Sequence, residues 1–167
     1  KGFHAARVDD IVKAAATSHG TFYLYFANKE ELFATLAAEV ATSFETVAQH
    51  FPTLASTPEG TIELRAWIEE FTTLYERSTD VLEAWTAAEI AGEESGRLGE
   101  AMIASFVAVL AERIATSGRA DLDPVVAATA VMAMVERVNY YASRRSVAVD
   151  RDEMIDTLTR VTLQALC

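Results

Sequence analysis

Sulfur cross-links, chain breakers and membrane-length runs are all scarce in this sequence. A single cysteine, Cys167, stands among 167 residues. It leaves no internal disulfide and no cysteine-rich zinc site, and it fits a reducing, cytoplasmic compartment. Three prolines and seven glycines exclude a collagen-like or linker-dominated chain. No uninterrupted apolar run approaches the roughly 20 residues of a membrane span, so the reading is a soluble protein with no membrane partner. The basic start, apolar run and cleavage site of a signal peptide are missing. So are the period-2 alternation and Asn-Gly or Asp-Gly turns of strands, internal repeats, and low-complexity tracts. Nor is there a nucleophile elbow, a phosphate loop or a zinc-ligand spacing. The expectation is a protein that is not an enzyme, with no catalytic residue and no cofactor. The three histidines, His4, His19 and His50, are too dispersed in sequence to suggest a metal site.

What the chain has is apolar residues, 51% of the total, and acid: the formal charge is -11. That charge is unevenly placed. Residues 1–30 carry Lys1, Arg7, Lys13 and Lys29 against Asp9, Asp10 and Glu30, a balance of +1. The other 10 basic and 22 acidic groups give residues 31–167 a balance of -12. A near-neutral head therefore sits on an acidic body, and the average charge conceals the division. The chain opens on Lys1 in KGFHAARV, and an upstream segment is expected.

The apolar residues recur at helical spacing throughout. Val8, Ile11, Val12 and Ala15 form a short stripe, and a second short helix fits Ser18 to Phe26. Asn28 before Lys29-Glu30-Glu31 is a capping-box-like start. It opens a long helix bearing Leu32, Leu36, Val40, Phe44, Val47 and Phe51, ended by Pro52. Thr57-Pro58-Glu59 opens the next, with Trp67, Ile68, Phe71, Leu74 and Tyr75 on its buried face. Asp80 with Glu83 reads as a further start, carrying Leu82, Trp85 and Ile90, and Ala91 to Gly96 breaks the pattern. Met102, Ile103, Phe106, Val107, Leu110 and Ile114 mark a helix closed by Gly118. Asp123-Pro124 opens one with Val131, Met132, Val135, Val138 and Tyr141. Asp150, with Glu153, opens the last, with Met154, Ile155, Leu158, Val161, Ala165 and Leu166. The expectation is an all-α chain of about eight helices.

Two short helices, a tight turn and a long helix suggest a DNA-reading unit on a scaffold. Ala15 supplies the small residue where the short helices cross, and Phe22 and Phe26 supply the inner face of the second. Ser18, His19, Gly20 and Thr21 put small or polar groups at its start, where bases and phosphates lie. Glycine inside a helix costs about 1 kcal/mol relative to alanine, and close backbone approach to a partner would justify Gly20.

The run from Val8 to Phe26, continued through Ala27-Asn28-Lys29-Glu30-Glu31-Leu32-Phe33, resembles the TetR-type repressor DNA-binding domain. The stretch from Ser18 to Leu32 carries most of the likeness, which covers roughly residues 2–50. The resemblance implies an N-terminal helix-turn-helix domain over 1–50, including the long connecting helix, with a further helix ahead of Gly2. It implies a helical ligand-binding and dimerisation domain over 51–167, with a homodimer formed by the last two helices on a palindromic operator. It also implies that Ser18, His19, Gly20, Thr21 and Tyr25 lie along the major groove, with Tyr23 and Lys29 on phosphates. His19, Thr21 and Tyr25 are the base-edge readers in this assignment. The chain departs from the pattern at Ala16, where the family has Gly, at Thr17, where it has an apolar residue, and at Arg7, where it has a capping Thr. Alanine in a left-handed turn costs on the order of 1 kcal/mol, so a strained turn is expected. Arg7 is left without the cap and becomes a phosphate-contact candidate.

In the body, Trp67, Phe71, Trp85, Met102, Phe106, Met132 and Tyr140 suit the wall of an apolar cavity as well as plain core. Glu136, Arg137 and Asn139 are candidate polar contacts there. The implied function is a ligand-responsive repressor that a small, largely apolar effector releases from DNA. A helical small-molecule carrier, or a protein-interaction dimer without DNA readout, stays open.

Overall fold

The structure, a computed structural model, describes the chain except residues 1–2, 4, 92–93 and 118–120, and gives the backbone alone for 86–91 and 94–98. The helices run in the order α1 (Val8–Ala14), α2 (His19–Tyr25), α3 (Lys29–Gln49), α4 (Pro58–Ala91), α5 (Glu94–Ala115), α6 (Pro124–Ser143) and α7 (Arg151–Leu166). Among the described residues there is no strand, and no helix is long and apolar enough to cross a membrane. Gly118, Gly92, Glu93 and His4, which the sequence reading singled out, lie outside the described residues, as does the side chain of Ile90.

The helix starts follow their caps. Asn28 accepts from the Glu31 backbone N–H at 2.8 Å, and Glu31 returns a carboxylate oxygen to the Ala27 N–H. Thr57 accepts from Gly60 N at 3.1 Å. Asp123 accepts from Val125 and Val126, and Asp150 from Asp152 and Glu153. Each satisfies donors that a helix leaves unpaired in its first turn.

Asp80 corrects the reading. It starts no helix, because α4 is continuous over 34 residues. Phe71, Leu74, Tyr75, Ser78 and Trp85 keep one buried face through that point, and no Gly or Pro interrupts it. An exposed Asp in mid-helix costs only about 0.7 kcal/mol. The two expected helices are therefore one, and seven are described where about eight were expected. The break expected at Ala91–Gly96 is also narrower, since α5 already begins at Glu94. In the first half of α3 the buried stripe is rotated by one residue, while Phe44 and Val47 are buried as expected. Phe33, Ala37 and Ala41 are buried, while Leu36 is exposed. Alanines at such positions let neighbouring helices approach the α3 backbone. In α7, similarly, Thr162 is buried and Val161 exposed.

The core is one continuous cluster running from Phe33 in α3 to Leu166 in α7. α3 packs on α4 and α5, α6 packs on α5 and α4, and α7 lies along α4. Arg65 reaches Asp156 (2.7 Å) and Arg151 reaches Glu76 (3.3 Å), tying α4 to α7. These pairs are half exposed, so burial rather than charge holds α7 in place.

The α1–α2 turn has the strain expected of it. Ala16 adopts φ 49°, its N–H meets Lys13 O at 3.3 Å, and the Thr17 N–H meets Val12 O at 2.9 Å. This is a Schellman closure with alanine where glycine fits best. Replacing Ala16 by Gly is expected to stabilise the protein by about 1 kcal/mol, raising Tm by about 2–4 °C. An unchanged or lower Tm in thermal unfolding would show that the turn is not strained.

Candidate functional site

The head builds an exposed helix on a small buried base. Phe22 is buried in α2 and packs against the tilted ring of Phe26, 5.7 Å away, while Val12 is buried in α1. With Phe22 facing inward, the other side of α2 faces solvent. Ser18, His19, Gly20, Thr21, Tyr23 and Tyr25 are all exposed, the tyrosines at 56% and 69%. Leu24, at 76%, is exposed with them. Sequence reasoning passed over it, although two residues beyond Phe22 a helix has turned well away from the buried side.

The start of α2 is fixed. Ser18 Oγ accepts the Thr21 N–H at 3.0 Å, and its hydroxyl is bonded to that of Thr21 at 3.0 Å. His19 Nε2 is bonded to Asp9 Oδ1 of α1, which orients the imidazole and links the two helices. Gly20 is not required by packing. A Cβ there would meet nothing nearer than Ser18 Oγ at 3.7 Å, so the fold has room for a methyl group that the sequence withholds.

Arg7 is exposed, and its backbone N–H donates to Asp10 Oδ2 at 3.2 Å. Its side chain makes no capping bond, as expected where the cap residue is replaced. Lys29 has a structural engagement that sequence reasoning missed. Its ammonium donates to the carbonyls of Phe3 and Ala6, both at 3.1 Å, and lies 4.9 Å from the Phe3 ring centroid. Phe3 in turn packs on Phe33 at 4.7 Å. Lys29 thus pins the segment before α1 onto the start of α3. Contacts of this kind, 23 and 26 residues apart, have no local sequence signal.

The body forms a partly open cavity of about 340 Å³ between α4, α5 and α6, with Phe44 of α3 on its wall. Of the seven residues expected at a ligand site, Phe71, Trp85, Met102, Met132 and Tyr140 line it. Trp67 and Phe106 are not on that wall, at 2% and 1% exposure. They belong to an aromatic cluster with Phe51 (4.8 Å from Trp67) and Phe71 (5.8 Å from Phe106). Trp67 Nε1 donates to Val47 O at 2.8 Å, a core role.

Glu136 and Arg137 line the cavity, whereas Asn139 does not. Asn139 is buried and donates to Val135 O at 2.8 Å. Tyr75, which the sequence placed only on a buried face, reaches the wall and donates its hydroxyl to Glu136 Oε1 at 3.2 Å. Burial first, and Glu136 second, push the Tyr75 phenol well above its ordinary value. It therefore remains a donor throughout the working pH range.

Residues 1–36 match the family described as bacterial regulatory proteins, tetR family. The HTH-type transcriptional regulator EthR of Mycobacterium tuberculosis is 27% identical over 168 residues, covering 95% of this chain and 76% of EthR. The HTH-type transcriptional regulator YvdT of Bacillus subtilis is 48% identical over 42 residues, 25% of this chain and only 22% of YvdT's own length. Among solved structures, the TetR family regulator PfmR from Thermus thermophilus superposes with a TM-score of 0.71 at 16% identity, over 98% of this chain and 91% of that one. The fatty acid degradation regulator FadR from Bacillus halodurans gives 0.70 at 17% identity, over 96% and 85%. At those identities the superpositions establish the fold. The sequence matches add that residues 1–36 carry the pattern of the tetR family of bacterial regulatory proteins, and that the chain along most of its length is similar to EthR.

Proposed function

We propose that the protein is a DNA-binding transcriptional regulator, a repressor released by a small, largely apolar effector. In this reading residues 1–50 read a palindromic operator and residues 51–167 bind the effector and form the homodimer. The observation that carries it is α2, whose buried Phe22 turns Ser18, His19, Gly20, Thr21, Tyr23 and Tyr25 outward together. Tyr23, Arg7 and Lys29 would position the head on phosphates, and His19, Thr21 and Tyr25 would meet base edges. The hydrogen bond from His19 to Asp9 presets the ring for that role.

A two-fold operator requires a two-fold protein. Supporting the dimer, α6 and α7 each leave apolar side chains exposed, Val126, Tyr141 and Val161 among them, which a second copy would cover. Phe44 puts α3, the helix that begins at Lys29 under the head, on the wall of the cavity. A ligand that prefers one arrangement of α3 would thereby favour one spacing of the two heads, which is all that release requires.

The test is binding of the protein, expressed from its own full reading frame, to the DNA upstream of its gene. Salt-dependent affinity is expected. The double variant Tyr23→Ala/Lys29→Ala is expected to bind about tenfold or more weakly, with Tyr23→Phe between the two. Wild-type affinity in the double variant would sink the docking mode, and absence of any DNA binding would favour a carrier or protein-interaction role.

A further inference from the structure

We propose that the body cavity is built for a cationic amphiphile, with an apolar body among the aromatic rings and a positively charged head at Glu136 and Tyr140. The proposal rests on the effector reading above and adds the charge of the head. The wall's described ionic groups are the carboxylates Glu83 and Glu136 against the single guanidinium of Arg137. Glu83 is held by Arg144 from off the wall, at 2.9 Å, so Glu136 is the carboxylate the cavity offers, amid rings that include Phe71, Trp85 and Tyr140. The buried Tyr75 hydroxyl, 3.2 Å from Glu136 Oε1, fixes that carboxylate on the wall.

A cation already occupies this position, and it belongs to the protein. Arg137 Nη2 lies 3.3 Å from Glu136 Oε2, with its side chain 55% exposed. Its guanidinium carbon sits 4.7 Å from the centroid of the Tyr140 ring. A carboxylate beside an aromatic face is the recognition unit for ammonium and guanidinium groups. Arg137 fills it from a half-exposed stem that can swing into water. A ligand ammonium taking its place gains the carboxylate and the ring without leaving a buried charge unpaired. Arg144 shares the Tyr140 ring, its guanidinium carbon 5.1 Å from the centroid, but does not compete for Glu136, since it holds Glu83 at 2.9 Å. An anionic head has the opposite prospect. It meets the Glu136 carboxylate at the wall, and must separate it from Arg137 to find its one counter-charge.

Three probes of one chain length decide the matter: decylammonium, decanol and decanoate, titrated against the protein with tryptophan emission and calorimetry as readouts. The cation is expected to bind about tenfold or more tightly than decanol, the step of one charge-assisted contact, and decanoate more weakly than decanol. Glu136→Gln should remove most of the cation's advantage. Arg137→Ala should strengthen cation binding, because the competing side chain is gone. Circular dichroism and Tm of both variants check that the fold is kept. Decanoate binding most tightly, with the loss of that affinity in Arg137→Ala, would overturn the proposal. Equal binding of all three would overturn it too, while leaving an apolar effector in place. Failure of all three to bind would defeat the effector reading itself along with it.

Discussion

Replacing Gly20 by alanine is expected to make the protein more stable and a worse DNA binder. Within a helix, alanine is favoured over glycine by about 1 kcal/mol, worth about 2–4 °C in Tm for a chain of this size. Nothing in the fold opposes the new methyl group, whose nearest neighbour would be Ser18 Oγ at 3.7 Å. The methyl group projects from the exposed side of α2, where the operator is proposed to lie. Holding the backbone away from bases and phosphates there should weaken DNA binding by about tenfold or more, since several short polar contacts lengthen together. The opposed signs make the experiment decisive. Thermal unfolding and DNA titration of the same preparation suffice. A Tm increase with unchanged DNA affinity would mean that the start of α2 does not face DNA.

Removing Trp67 should produce the largest loss of stability of any of these substitutions. The ring is 2% exposed and touches Phe51, Phe71 and Phe106 at centroid distances of 4.8, 5.9 and 6.0 Å. Trp67→Ala leaves a large hole among rings that cannot close on it. The expected cost is about 3–5 kcal/mol, a fall in Tm of about 10 °C or more. Trp67→Phe keeps most of the packing but leaves Val47 O, now bonded at 2.8 Å, without its donor, a cost of about 1–3 kcal/mol. Because Trp67 is off the cavity wall, Trp67→Phe should bind decanol with wild-type affinity. It also leaves Trp85 as the sole tryptophan, reporting from the wall itself. An altered affinity in Trp67→Phe would place Trp67 at the ligand site after all.

Much of the head was legible because its information is local. The Asn28 cap, the Phe22–Phe26 spacing and the withheld methyl at Gly20 act within a few residues. Even the strained turn at Ala16 was readable from one substitution in a short motif. Asp80 misled because a capping residue looks alike at a helix start and on the exposed side of a continuing helix. What distinguishes the two is the phase of the buried residues on either side. Leu36 and Val161 misled for a related reason. Periodicity gives the spacing of an apolar stripe, but the neighbours decide which adjacent row is covered.

By itself, then, the sequence determined the helical class, the capped helix starts at Asn28, Thr57, Asp123 and Asp150, and the division between a near-neutral head and an acidic body, while the resemblance supplied the outward residues of α2. Those properties depend on backbone propensity, capping and helical phase, all of which operate over one or two turns. The tertiary structure alone decided that Phe71 and Trp85 reach a cavity while Trp67 and Phe106 fill the core. It also decided that Lys29 holds the carbonyls of Phe3 and Ala6, and that Tyr75 meets Glu136 across 61 residues. A cavity is the space several helices leave between them. Its lining is therefore set by how the helices pack together, a relation that no single stretch of chain encodes.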